Sequence, residues 1–261
     1  MRAAARIIKY QFRNVIRSRW LLGYTGFFLL ASELLLRFGG DPTRALVSLM
    51  NVVLLMIPLV TIVFGTMYLY DAREFVELLL AQPIGRRQLF AGLYLGVTLP
   101  LALGFAAGVA LPFAFNPDQS RWPTLAALLI VGIALTFIFT ALAFAISLRW
   151  DDRIKGLGVA IATWLVLGVV YDAFVLMAAT MFSAYPLDKA MLALMIVNPI
   201  DLARTVLLMG FDISALMGYT GALFKQFFGT GLGMAVAGAA LIGWVGAPVL
   251  YGDRSFESKD F

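Results

Sequence analysis

The sequence predicts an all-α, polytopic membrane protein: one domain over residues 1–261, with six transmembrane helices. Three observations carry this. Of the 261 residues, 62% are hydrophobic and only 13% are charged. That leaves too little polar surface to cover the apolar interior, so lipid must be the solvent for most of it. Six apolar stretches each reach the roughly 20 residues needed to cross about 30 Å of hydrocarbon. Lysine and arginine are also unevenly placed. Residues 1–19 hold six, residues 71–88 three, residues 149–155 three and the last ten residues two, so these segments carry fourteen of the twenty. An even number of spans puts both termini on one side, and the positive-inside rule makes that side the cytoplasm.

Residues 1–19 come first. Arg2, Arg6, Lys9, Arg13 and Arg17 recur at spacings of three and four and line one helical face, while Ile8, Phe12, Val15 and Ile16 line another. This predicts an amphipathic helix lying in the membrane interface, either as a plain basic anchor or as a contact for a soluble partner as well. No small-residue cleavage site follows a short apolar core, so the segment does not read as a cleaved signal peptide.

The first span covers residues 20–38, and Glu33 and Arg37, four apart near its far end, can pair on one face. Gly39, Gly40, Asp41 and Pro42 make the outer turn into the second span, 46–70. Residues 71–88 form an elbow. Phe75 and Leu79, and Val76 and Leu80, stack on one face of a short helix; Arg73, Glu74 and Glu77 take the other. Pro83, after Gln82, ends that helix because the residue before a proline is pushed out of the α region. Ile84 and Gly85 turn the chain, and Arg86 and Arg87 follow. Such an elbow either docks a soluble protein or is a solvated loop whose arginines set topology. Glu257, in the tail, has no part in it on this reading.

The third span, 89–115, contains Pro100, which predicts a kink or a break. A short outer loop, 116–122, leads to the fourth span, 123–148, and RWDDRIK, 149–155, is a tight charged inner loop. The fifth span, 156–182, carries Asp172 well inside it. Residues 184–226 differ in kind. Pro186, Asn198-Pro199 and Gly210 cut this apolar stretch into pieces too short to cross, which predicts short interfacial or re-entrant helices on the outer face. Asp188, Asp201 and Asp212 each stand where a carboxylate can cap a helix start. The sixth span is 227–251, and 252–261 reads as an inner tail. Small residues four apart, Gly92/Gly96, Gly104/Gly108, Gly229/Gly233 and Gly243/Ala247, let backbones approach closely, within the chain or across a dimer seam.

A charge near mid-membrane costs about 2.5–3.5 kcal/mol on insertion scales, so Asp172 needs a partner, a proton or a wet cavity. It either lines a translocation route or is a structural group hydrogen-bonded to a neighbouring helix, with Tyr171 and Thr163 nearby. Glu33 has Arg37 at hand and carries the same two readings.

Composition excludes several functions. There is no cysteine and no histidine, which removes disulfides, thiol nucleophiles, histidine bases and the usual zinc or copper ligands. No GxxxxGK[ST] loop is present, so the chain has no such site for ATP, and no paired intramembrane groups suit acid–base catalysis. The net charge of +5 lies beside the spans, where it reads as topology and lipid contact rather than nucleic-acid binding.

The run ELLLAQPIGRRQLFAGLYLG, residues 77–96, resembles the loop between the second and third spans in permeases of type-two ATP-binding-cassette exporters. In wording it is similar to the NosY-like permeases linked to copper-enzyme (nitrous-oxide reductase) maturation, as are Asn198-Pro199-Ile200-Asp201 and Lys259-Asp260-Phe261. The resemblance implies that Arg73, Glu74, Glu77, Gln82, Pro83, Arg86 and Arg87 form a coupling helix against a separate ATPase. It implies two permease copies and two ATPase subunits, with ATP used by the partner and no cofactor bound here. It also implies a bacterial or archaeal inner-membrane location, a sulfur-containing cargo and a periplasmic accessory protein. A lipid, glycan or drug-like cargo, or a cargo-free scaffold that transmits force from an ATPase, fits the same pattern.

Overall fold

The computed structural model describes residues 2–116, 122–182, 188–211 and 231–259, and those residues are helical throughout apart from short connections. In chain order the helices are α1 (Arg2–Ile16), α2 (Arg19–Phe38), α3 (Pro42–Asp71), α4 (Arg73–Leu80), α5 (Arg86–Phe115) and α6 (Trp122–Arg149). Then come α7 (Arg153–Leu165), a π turn over Val166–Val170, α8 (Tyr171–Met181), α9 (Asp188–Val197), α10 (Pro199–Gly210) and α11 (Gly231–Ser258). Among the described residues six helices are long and apolar enough to cross a membrane, α2, α3, α5, α6, α7 continuing through the π turn into α8, and α11; the bent pair α9–α10 passes the same test only if taken as one span. The chain is therefore an all-α, multi-pass membrane protein, as its sequence predicts.

Helices α5 and α6 form the centre. Of their most apolar windows, 61% and 56% is buried, against 28% for α2 and 6% for the fifth span. α1 and α2 pack on α5; α3, α10 and α11 pack on α6. On α2 the buried line is Leu21, Tyr24, Phe28, Ser32 and Leu36, a helical stripe, while Leu22, Leu29 and Leu30 stay exposed for lipid. Gly104 and Gly108 of α5 bring α2 close: a Cβ at either would fall within 3 Å of Thr25 or Phe28. Glu33 and Arg37 pair at 2.5 Å, as their spacing predicts.

Several expectations need correcting. The buried line of α1 is Ile7, Gln11 and Val15, whereas Ile16 is exposed. The cause is Gly96, beside which Gln11 sits with no room for a Cβ, and Tyr68, whose hydroxyl donates to Gln11 Oε1 at 2.5 Å. That rotates the helix away from the Ile8–Phe12–Ile16 face. Pro100 does not break α5, which runs continuously through both Pro100 and Pro112. The fifth span carries a π turn that apolar length gives no sign of. α11 extends to Ser258, so Gly252–Ser258 belongs to the span helix and not to a tail.

Of residues 184–226 the structure describes the pair α9–α10, bent by 111° at Asn198. This is the interrupted geometry expected there; residues 184–187 and 212–226, with Asp212, lie outside the described residues, as does Gly229. Asp201 does not cap α10. Asn198 does, its Oδ1 accepting from the Ile200 N–H at 2.9 Å. Asp201 lies in the first turn and is buried.

One close approach fixes where span five starts. Gly156 packs on Tyr70, and a Cβ there would fall on the Tyr70 ring and hydroxyl. That hydroxyl donates to the Trp150 carbonyl at 2.7 Å. Gly156→Ala should therefore lower stability by about 1–3 kcal/mol, as overpacking does. Gly158→Ala, with nothing within 4 Å of its Cβ, should be neutral or slightly stabilising. Thermal unfolding of the two variants in detergent checks this; equal effects would contradict it.

Candidate functional site

Helix α4 is eight residues long and amphipathic. Val76 is fully buried under it, and Phe75 stacks on Tyr10 of α1 with ring centroids 5.8 Å apart. Between α1 and the elbow lies a groove of about 380 Å³ lined by Ile7, Tyr10, Phe75, Leu79, Gln82, Pro83 and Ile84. The outward face consists of Glu74, Glu77, Leu78, Ala81, Gln82 and Pro83, all exposed. Leu78 is 70% exposed, an apolar side chain between acidic neighbours. Glu74 sits in the first turn, where a carboxylate complements the helix dipole. Glu74 and Glu77 have no ion-pair partner among the described residues.

The arginines of the elbow behave differently. The sequence groups Arg73, Arg86 and Arg87 with the two glutamates as one coupling face; the structure turns all three onto the chain itself. Arg73 donates to the carbonyls of Asp151 at 2.9 Å, Trp150 at 3.3 Å and Ser147 at 3.4 Å, and its guanidinium lies 4.6 Å from the Tyr70 ring centre. Arg86 Nη1 donates to the Glu257 and Lys259 carbonyls, each at 2.8 Å. Arg87 grips Glu257 with two bonds, 2.7 and 3.1 Å, and lies 3.5 Å from Asp253. Glu257 is thus a partner of the elbow, contrary to its reading as a tail charge. Lys259 closes the set, donating to the Leu148 carbonyl at 2.8 Å and to Asp151 Oδ1 at 2.6 Å. The Lys259 ammonium holds the Asp151 carboxyl below the usual carboxylate range. These contacts follow from helix ends. The last carbonyls of α6 and α11 have no intrahelical donor and form the negative end of the dipole, and cations satisfy both needs.

A second polar group lies in the membrane-spanning part. Asp172 Oδ2 pairs with Arg204 Nη1 at 2.8 Å, and the same nitrogen lies 3.3 Å from Asp201 Oδ1. Asn198 Nδ2 donates to Asp201 Oδ2 at 3.2 Å and to the Leu167 carbonyl at 2.7 Å. Leu167 lies in the π turn, where Tyr171 N–H reaches back five residues to Val166 O. Asp172 is therefore ion-paired, not held by Tyr171 or Thr163: Tyr171 donates to Leu194 O and Thr163 to Val159 O. Sequence reasoning missed Arg204. The signal was present, since Arg204 is the sole Lys or Arg between Lys189 and Lys225. A lone cation in an apolar stretch needs an acid. The cluster can lock the bent pair onto span five. No group of three or more metal-binding side chains occurs among the described residues.

Arg204→Met should cost more than Asp172→Asn. The methionine strands two carboxylates, at roughly 1–3 kcal/mol or more for unmet charged groups; the asparagine leaves the Arg204–Asp201 pair in place. Thermal unfolding of both variants decides, and an Asp172→Asn loss equal to or above that of Arg204→Met would contradict the assignment.

A family model described as ABC-2 family transporter protein matches residues 5–261. The chain is similar to the protein named "Probable ABC transporter permease protein NosY" of Pseudomonas aeruginosa, 28% identical over 234 residues, covering 81% of this chain and 84% of the relative. It is similar to the protein of the same name from Stutzerimonas stutzeri, 25% identical over 274 residues, covering 97% of each. With six apolar helices, a short amphipathic elbow between the second and third, and a match over nearly its whole length, the chain belongs to the ABC-2 family, as a permease of an ATP-binding-cassette transporter.

Proposed function

We propose that two copies of this permease work with two ATPase subunits in the inner membrane, and that the energy of ATP enters through the outward face of α4. The observation that carries this is Leu78. It is 70% exposed on a helix whose opposite residue, Val76, is fully buried. An exposed leucine flanked by two glutamates that have no ion-pair partner among the described residues, on a helix anchored by Arg73, Arg86 and Arg87, is a rigid knob suited to a groove on a soluble protein. The lysine and arginine distribution supports a cytoplasmic position for the knob and both termini. ATP hydrolysis belongs to the partner subunit, and this chain binds no cofactor.

Two features support a second copy as neighbour. The fifth span is only 6% buried along its apolar window, with Phe174, Leu176, Met177 and Met181 uncovered. On α11, Gly243 and Ala247 border an open groove with Ile196 and Trp244. Asp172 and Arg204, each about one-third exposed on that side, give the face a polar group, which favours a translocation route over a dry scaffold seam. The curated relatives are named as NosY permeases. A sulfur-containing cargo passed to a periplasmic accessory protein for copper-enzyme maturation is proposed on the resemblance of residues 77–96 alone.

Removing one partner of a desolvated charge pair costs about 2–5 kcal/mol, against about 0–1 kcal/mol for a solvated charge. Glu77→Arg should therefore weaken association with the ATPase roughly 30-fold or more while leaving expression unchanged. Leu78→Ala should act in the same direction. Co-purification of permease and ATPase from membranes is the measurement, and normal recovery in both variants would remove α4 as the coupling surface.

A further inference from the structure

We propose that residues 253–259, the end of α11, are a strut that fixes the tilt of the α4 elbow and carries its movement to spans four and six. This rests on the reading of α4 as the ATPase contact. Glu257 and Lys259 are its positioning residues.

The elbow has two feet. Its near foot, Arg73, is held by the carbonyls of Ser147, in the last turn of span four, and of Trp150 and Asp151, just past it. Its far foot, Arg86 and Arg87, is held by the backbone of Glu257 and Lys259 and by the Glu257 carboxylate. Lys259 then reaches back to Leu148 and Asp151, the same connection that holds Arg73. The links form a closed ring: α4, the 147–151 connection, the end of α11, and the start of α5. The ring has an apolar hub. Phe256 is fully buried, with its ring centre 5.8 Å from that of Phe90. Gly252 leaves room for Phe90, whose Cζ would lie 2.9 Å from a Cβ there. Phe90 in turn meets Phe144 of α6 edge-on at 6.0 Å. The end of α11 is thus wedged between spans three and four while its charges hold both feet of the elbow.

A plain anchor and a strut differ in consequence. Single exposed ion pairs contribute little to stability, so breaking one link leaves a folded protein in either case. In a ring, however, each link constrains the geometry of the others. Opening it loosens α4 against spans four and six without touching the docking face.

The experiment uses the full chain with its ATPase in lipid nanodiscs. It reads co-purification, permease-stimulated ATP hydrolysis, and the distance between spin labels on cysteines placed at Gly85, in the elbow but off its docking face, and Arg254, a chain without native cysteines being suited to this. Glu257→Arg should co-purify with the ATPase at the unaltered level. Stimulation should fall at least about threefold, the order of one lost charge pair plus the repulsion that replaces it, and the distance distribution should broaden. The swap Arg87→Glu with Glu257→Arg should restore both readouts. Lys259→Met should act like Glu257→Arg, and Lys259→Arg should not. Unchanged stimulation and distances in Glu257→Arg and Lys259→Met would overturn the strut, as would a swap that restores neither. Loss of co-purification in Glu257→Arg would also overturn it, by making the tail itself a docking surface. Failure of the unaltered chain to co-purify would instead refute the α4 reading, and the strut with it.

Discussion

The architecture around the elbow depends on one interaction: a cation donating to the open carbonyl end of a span. Every α-helix leaves its last four carbonyls without an intrahelical donor, and those carbonyls carry the negative end of the dipole. Here Arg73 and Lys259 meet the end of α6, and Arg86 meets the end of α11. Arg73, Arg86 and Lys259 thus fasten the helix ends. The elbow between α3 and α5 is held at both ends by these contacts, and this is why an eight-residue helix, too short to be stable alone, presents a defined face.

Much of this was legible in the sequence, and the reasons are physical. The spans follow from apolar length, α4 from the four-residue spacing of Phe75, Val76, Leu79 and Leu80, and the Glu33–Arg37 pair from the same spacing. The acceptors of Arg73 and Arg86 were not legible, because a backbone carbonyl has no sequence signature and any residue supplies one. Which line of α1 packs on protein was not legible, because the partner helix decides it, through a glycine at 96 and the Tyr68 hydroxyl. Gly252 and Asp253 read as the start of a tail. In the structure Gly252 makes room for Phe90, and Asp253 lies 3.5 Å from Arg87.

Within the spans, Arg204 and Asp172 lie 32 residues apart in the chain. Local spacing could not join them; only the bend at Asn198 does. That bend, the π turn and the ion pair form one unit. Asn198 caps α10 with its oxygen and ties the π turn with its nitrogen, which brings Arg204 to Asp172. Such interruptions are tolerated at membrane depth where the freed backbone groups find protein partners. The unit and the elbow lie at opposite ends of the fifth span's neighbourhood: Tyr70, Gly156 and Arg153 at the α4 end, Asp172 and Tyr171 at the other. Helix α3 touches both, through Tyr70 to Trp150 and through the Leu55 carbonyl to Trp164.

The central claim is that the α4 knob faces the cytoplasm and is covered by an ATPase. A cysteine at Ala81, exposed on the same outward face as Leu78, in the otherwise cysteine-free chain tests it, with a membrane-impermeant maleimide as the reagent. Labelling should be absent in intact cells, strong in inside-out vesicles stripped of the ATPase, and blocked when the ATPase is added back. Labelling in intact cells, or equal labelling of stripped and reconstituted vesicles, would contradict it.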